Sequence, residues 1–124
     1  MGGKSVLIVE DDQDMRHLIG ALLEMEGYVV ASLDHIEPYD ELINQVNQRS
    51  PDLLLIDVHI NGKTSFEFIE KFKEFEVSKR PKVLMSSGMA IEGECIRHGA
   101  DGFLLKPYMP DELIRKINQM LESV

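Results

Sequence analysis

Five short apolar runs, at residues 5–9, 28–32, 52–56, 82–85 and 102–105, alternate along this chain with stretches patterned for helix, and that alternation leaves few folds open. The first, third and fourth runs are nearly unbroken Val, Ile, Leu and Met, as strands read when helices cover both faces of a parallel sheet. Between the runs, apolar residues recur at helical spacing: Met15, Leu18, Ile19, Leu22 and Leu23, stopped by Gly27, and then Tyr39, Leu42, Ile43 and Val46 after Pro38. Phe66, Ile69 and Phe72 form a third stripe, with Thr64 and Glu67 at capping-box spacing in front of it. A short fourth face, Ile91, Cys95 and Ile96, is interrupted by Gly93, and Leu113, Ile114, Ile117 and Leu121 make the last stripe, entered through Pro110. Strand then helix, five times over, predicts an α/β, flavodoxin-like (βα)5 three-layer sandwich whose five-stranded parallel sheet has the order 2-1-3-4-5.

At 124 residues with no linker, repeat or low-complexity tract, the whole chain, 1–124, reads as one domain. A net charge of −9 argues against direct nucleic-acid binding, which needs a basic face. No apolar run approaches a membrane span, no signal peptide opens the sequence, and the single cysteine, Cys95, reads as a small core residue; a reducing, cytoplasmic setting is expected.

Ligands of such sheets bind beyond the carboxyl ends of the strands, where the strand order reverses. The first strand ends in Glu10-Asp11-Asp12, the third in Asp57, the fourth in Ser86-Ser87 and the fifth in Lys106-Pro107. Singly, each has an ordinary explanation: Asp11 or Asp12 as a helix N-cap, Asp57 as a strand-end acid, Ser86 as a loop hydroxyl, Lys106 as a solvated lysine. Together, at four matching strand ends, they predict converging carboxylates flanked by a hydroxyl and an ammonium. Carboxylates so close resist ionising together, and a divalent cation with oxygen ligands, Mg²⁺ above all, removes that penalty. An aspartate beside such an ion can attack phosphorus, with the ammonium and hydroxyl neutralising the phosphoryl oxygens.

These residues, and above all the segment from Gly99 through Ala100-Asp101-Gly102-Phe103-Leu104-Leu105-Lys106-Pro107 to Tyr108, resemble the response-regulator receiver domain of two-component signalling, over residues 4 to about 121. The resemblance implies Asp57 as phosphoacceptor. It implies Mg²⁺ held by Asp12 directly, by Asp11 directly or through water, by Asp57 and by the backbone carbonyl of His59. Ser86 and Lys106 would bind phosphoryl oxygens, and Ser86 and Phe103 would act as switch residues; Ser87 stays open as the alternative hydroxyl. A sensor histidine kinase, a phosphotransfer protein or a small phosphodonor would supply the phosphoryl group. The face made by the fourth helix, fifth strand and fifth helix would pass the change to an effector, an output domain or a second copy of the chain. The domain would assist its own aspartyl phosphorylation and dephosphorylation without being an enzyme in the ordinary sense. Departures from the family pattern are Asn61 where proline is frequent, Ser65 where glycine is common, and a slightly short stretch from Ser86 to Lys106. The alternative reading is a phosphorylation-independent interaction module, against which the intact acidic set and lysine argue. A phosphatase or phosphotransferase acting on separate substrates would need a cap for which there is no insertion. Gly62-Lys63-Thr64 lacks the first glycine of a P-loop, and the four histidines share no zinc-binding spacing.

Overall fold

The computed structural model describes residues 3–74 and 80–122. Its elements run β1 (Ser5–Val9), α1 (Gln13–Met25), β2 (Val29–Leu33), α2 (Tyr39–Arg49), β3 (Leu53–Asp57), β4 (His59–Ile60), β5 (Lys63–Thr64), α3 (Phe66–Lys71), β6 (Lys82–Ser87), α4 (Glu92–His98), β7 (Gly102–Leu105) and α5 (Pro110–Leu121). The main sheet is parallel, with order β2-β1-β3-β6-β7, which is the expected 2-1-3-4-5.

Alternation along the strands builds two cores. Val6, Ile8, Leu53 and Leu55 point to the face covered by α1 and α5, where they meet Ile19, Leu23, Leu113 and Ile117. Leu7, Val9, Leu54 and Ile56 point the other way, against Leu42 and Val46 of α2, Phe68 and Ile69 of α3 and Cys95 of α4. All five residues of β3 are buried because it is the central strand, flanked by β1 and β6 and covered on both faces. At the edge, β2 starts one residue later than its apolar run suggests. Tyr28 instead belongs to the turn after Gly27, and its hydroxyl donates to the Asn118 side chain of α5.

Three local expectations are corrected. The Thr64–Glu67 capping box does not form: Thr64 pairs with His59 in a small antiparallel hairpin, α3 begins at Phe66 after Ser65, and Glu67 accepts the Tyr39 hydroxyl at 3.0 Å. The deepest aromatic of α3 is Phe68, fully buried against Phe72 edge to face at 4.9 Å, whereas Phe66 is half-buried and stacks on His98. Phe72 falls in a 3₁₀ turn, Phe72–Glu74, rather than in the helix, and Phe75 lies outside the described residues. The fourth helix is a short one of seven residues; Cys95 is its one buried side chain, Ile96 is exposed, and Gly99 at φ 118° closes it.

The hairpin of β4 and β5 has no counterpart in the apolar pattern. Asn61 (φ 53°) and Gly62 (φ 80°) take its two turn positions, both with positive φ, which is the type I′ geometry that Asn-Gly favours. A proline could not adopt that φ, so the departure from the family's proline and the new hairpin are one fact. Among the described residues, no helix is long and apolar enough to cross a membrane.

Candidate functional site

The four strand ends converge as their positions predict. Asp57, the last residue of β3, is 8% exposed, and Ser86 lies beside it in register on β6. The Ser86 hydroxyl donates to Asp57 Oδ1, while Lys106 Nζ reaches Asp57 Oδ2 at 2.8 Å and Glu10 Oε1 at 3.2 Å. Ser87 is occupied elsewhere: its Oγ accepts the Met89 N–H at 3.1 Å and its carbonyl accepts the Lys106 N–H at 2.8 Å, which seats the lysine. Geometry therefore puts the Ser86 hydroxyl, and not that of Ser87, on Asp57.

The acidic group is Glu10, Asp11 and Asp57, which offer one oxygen each within 4.8 Å of one another. Asp12 is not among them. Its carboxylate turns back to accept the Met15 N–H at 3.0 Å as the N-cap of α1, so the expectation of Asp12 as a direct metal ligand is corrected. Glu10, passed over as a ligand in the sequence, takes the vacated role in the cluster. The strand's burial runs on through it, to 3% exposure. Arg16 Nη1 donates to the Glu10 carbonyl at 2.8 Å, and the Asp12 N–H donates to Glu10 Oε2 at 3.0 Å. A helix starting at Gln13 claims the residue before it as its cap, and that signal identifies which of three consecutive acids is spoken for.

Electrostatics follow from this crowding. Burial, aided by the hydrogen-bonded Asp57 beside it, pushes the Glu10 carboxyl up to about 7, against the pull of the Asp12 N–H and Lys106. Asp11 sits at the exposed mouth, and the Asn61 N–H at 2.8 Å holds its carboxyl below the ordinary value. Burial alone would lower Lys106, but contacts with Asp57 and Glu10 outweigh it and leave the ammonium above the ordinary lysine value, hence charged. The three carboxylates present only hard oxygen donors, the set that suits Mg²⁺ rather than a thiolate- or imidazole-seeking metal.

The remaining expected residues fall around this group. The His59 side chain is exposed at the start of β4, two residues past Asp57. Phe103 is half-buried, beside Met85 in the sheet, and packs on the α2–α3–α4 side of the core. Ser65, seen in the sequence only as a missing glycine, is fully buried and donates its Oγ to the Asp57 carbonyl at 2.7 Å. Ser65→Ala is expected to cost about 1–2 kcal/mol, because a buried carbonyl loses its side-chain donor. Urea unfolding, with an unchanged denaturant slope, checks it.

The family model of the response regulator receiver domain matches residues 6–118. The chain belongs to the response regulator receiver family. Among its relatives is the phosphate regulon transcriptional regulatory protein PhoB of Escherichia coli (strain K12), 29% identical over 98% of this chain and 53% of PhoB. The receiver thus spans about half the length of that curated relative. It is also similar to the chemotaxis protein CheY of Halobacterium salinarum, at 26% identity over 97% of this chain and 98% of CheY. The receiver domain of the sensor histidine kinase PA1611 from Pseudomonas aeruginosa PAO1, solved with a magnesium ion coordinated in its active-site cleft, shares the fold. It superposes with a TM-score of 0.82 over 98% of this chain and 100% of that one, at 22% identity. The acidic pocket of Glu10, Asp11 and Asp57 stands where receivers bind Mg²⁺ and is consistent with phosphorylation.

Proposed function

We propose that the chain is an Mg²⁺-dependent phosphorylation switch that accepts a phosphoryl group on Asp57. The observation that carries this reading is the placement of one Asp57 oxygen against the Ser86 hydroxyl and the other against Lys106, with Glu10 and Asp11 alongside. Glu10, Asp11, Asp57 and the His59 carbonyl are the groups that would hold the ion, in line with the magnesium of the PA1611 receiver. When bound, Mg²⁺ offsets the repulsion between the carboxylates and the incoming phosphoryl oxygens.

The rest is the work of the chain's own residues. An Asp57 carboxylate oxygen attacks phosphorus in line, the bond from phosphorus to the donor's nitrogen or oxygen breaks, and the leaving group departs with the electron pair. Lys106 and Ser86, freed from a carboxylate now joined to phosphorus as an acyl phosphate, turn to the phosphoryl oxygens. Ser86 lies in β6 and Lys106 directly follows β7, so their movement draws on Phe103 and the α4–β7–α5 face, shifting a pre-existing equilibrium. The donor is a sensor histidine kinase, a phosphotransfer protein or a small phosphodonor. The reader is an effector, an output domain such as the rest of a PhoB-like protein, or a second copy of this chain. In this reading the domain is cytoplasmic and promotes only its own phosphorylation and dephosphorylation.

The test is chemical trapping. The chain is incubated with acetyl phosphate and Mg²⁺, reduced with borohydride and mapped by peptide mass. The reduced residue is expected at Asp57, and only when Mg²⁺ is present. A folded chain that gains no phosphoryl group under these conditions overturns the reading.

A further inference from the structure

Apart from the Lys106 contacts with Glu10 and Asp57, each carboxylate of the acidic pocket has one oxygen held by a protein donor. The Asp12 N–H holds Glu10 Oε2 at 3.0 Å, the Asn61 N–H holds Asp11 Oδ2 at 2.8 Å, and the Ser86 hydroxyl holds Asp57 Oδ1. The three donors differ in kind. That of Asp12 comes with the start of α1, and that of Ser86 is on a hydroxyl that rotates. That of Asn61 is supplied by a turn which exists because residues 61 and 62 accept positive φ.

The turn is fixed on several sides. The Asn61 side-chain amide donates to the Asp34 carbonyl at 3.2 Å, Lys63 pairs with Glu37 at 2.6 Å, and Ser65 anchors the far end through its N–H to Val58 and its hydroxyl to Asp57. The Asn61 N–H is thus a stationary donor, and Asp11 meets it with one definite oxygen.

That arrangement has a consequence for ion choice. Ca²⁺ takes roughly 6–8 oxygens at about 2.3–2.6 Å and commonly uses both oxygens of a carboxylate, whereas Mg²⁺ takes six at about 2.0–2.1 Å in near-ideal octahedral geometry. An oxygen that accepts a fixed N–H keeps a lone pair but is the poorer and less movable ligand, so such a carboxylate favours binding through its other oxygen. We propose that Asn61, through its backbone N–H, is a specificity-determining residue that makes Asp11 a one-oxygen ligand and so biases the pocket toward Mg²⁺ over Ca²⁺. The inference rests on the metal reading above and deepens it. Asn61 touches neither ion nor phosphoryl group; it acts through Asp11 as a positioning residue.

The test is calorimetric titration with MgCl₂ and with CaCl₂ in three forms of the full chain. These are the wild type, a semisynthetic form with the residue-61 amide replaced by an ester, and Asn61→Gly, which keeps both the N–H and the turn. Circular dichroism checks the fold of each. Loss of the N–H is expected to weaken Mg²⁺ binding roughly tenfold, the scale found for partners that orient metal ligands. Ca²⁺ binding should weaken less, so the ratio of the two dissociation constants narrows several-fold, while Asn61→Gly retains the wild-type ratio. An unchanged ratio in the ester form overturns the proposal, even if both ions bind more weakly, since that is the mark of a purely structural role. A folded wild type that binds neither ion refutes the metal reading itself, and the proposal with it.

Discussion

Asp57→Asn is expected to abolish phosphoryl incorporation while leaving the chain folded. Asparagine has the same shape, and its carbonyl oxygen can still accept from Ser86 or Lys106, which converge on this side chain. It lacks the anionic oxygen that forms the bond to phosphorus, and among the described residues no other acid lies between that hydroxyl and that ammonium. With the nucleophile gone, incorporation from acetyl phosphate should fall at least about a thousand-fold, a barrier increase of roughly 4 kcal/mol or more. Intact-mass spectrometry reads the result directly. Wild-type yield in the variant would move the phosphoacceptor to another residue. Replacing one of the clustered acids also relieves repulsion, so without metal the variant should be at least as stable as the wild type.

The second large effect concerns Glu10 and changes with pH. Its carboxyl titrates at about 7 in the folded chain against an ordinary 4.5, chiefly because it is buried. The folded state therefore binds more protons than the unfolded state between these values. Below about pH 4.5 the group is protonated in both states and makes no difference. As pH rises toward 7 the wild type loses stability, and above 7 it bears the full cost of an ionised buried acid. Glu10→Gln carries no charge and keeps one acceptor oxygen, which can serve the Asp12 N–H, with an amide NH₂ in place of the oxygen that Lys106 contacts. In metal-free buffer it should be more stable than the wild type at pH 8, by roughly 1–3 kcal/mol, and equal to it near pH 4. Thermal or urea unfolding at the two pH values measures it. A variant less stable at both would show that Glu10 is held mainly by its hydrogen bonds. Saturating Mg²⁺ should narrow or reverse the difference, because the ion stabilises the state that binds it, and the wild type binds it better.

The framework was open to reading because its signals are strong and local. Strands buried on both faces lose their polar alternation, as β1, β3 and β6 do, and polar residues at their ends then stand out. Asp57, Ser86 and Lys106 were legible for that reason. The acidic run after β1 was harder. Glu10, Asp11 and Asp12 are chemically alike in a row, and only the competition between a strand that stays buried through Glu10 and a helix that needs Asp12 as its cap sorts them. The hairpin was hidden differently. Its strands have two residues each, too short for any periodicity, and the Asn61-Gly62 pair that dictates the turn sits inside a segment resembling a truncated phosphate loop. Thr64 and Glu67 had capping spacing but not capping geometry, since the turn fixes Thr64 as a strand residue. The roles of Ser65 and Asn61 depend on contacts with residues 8 and 50 positions away, beyond the reach of any local pattern.

Lys106 also sets the terms on which the pocket loads. It stands between Glu10 and Asp57, a cation carried on the chain's own flexible arm. A divalent ion would therefore not fill a bare negative hole. It would compete with a tethered rival for the same oxygens, and the free energy of loading would be the margin between the two claims, smaller than the ion's own attraction. Occupancy governed by such an exchange would be weaker, and more easily reversed, than in a pocket with no cation of its own. An arm displaced from its carboxylates is then at liberty for the next anion to arrive.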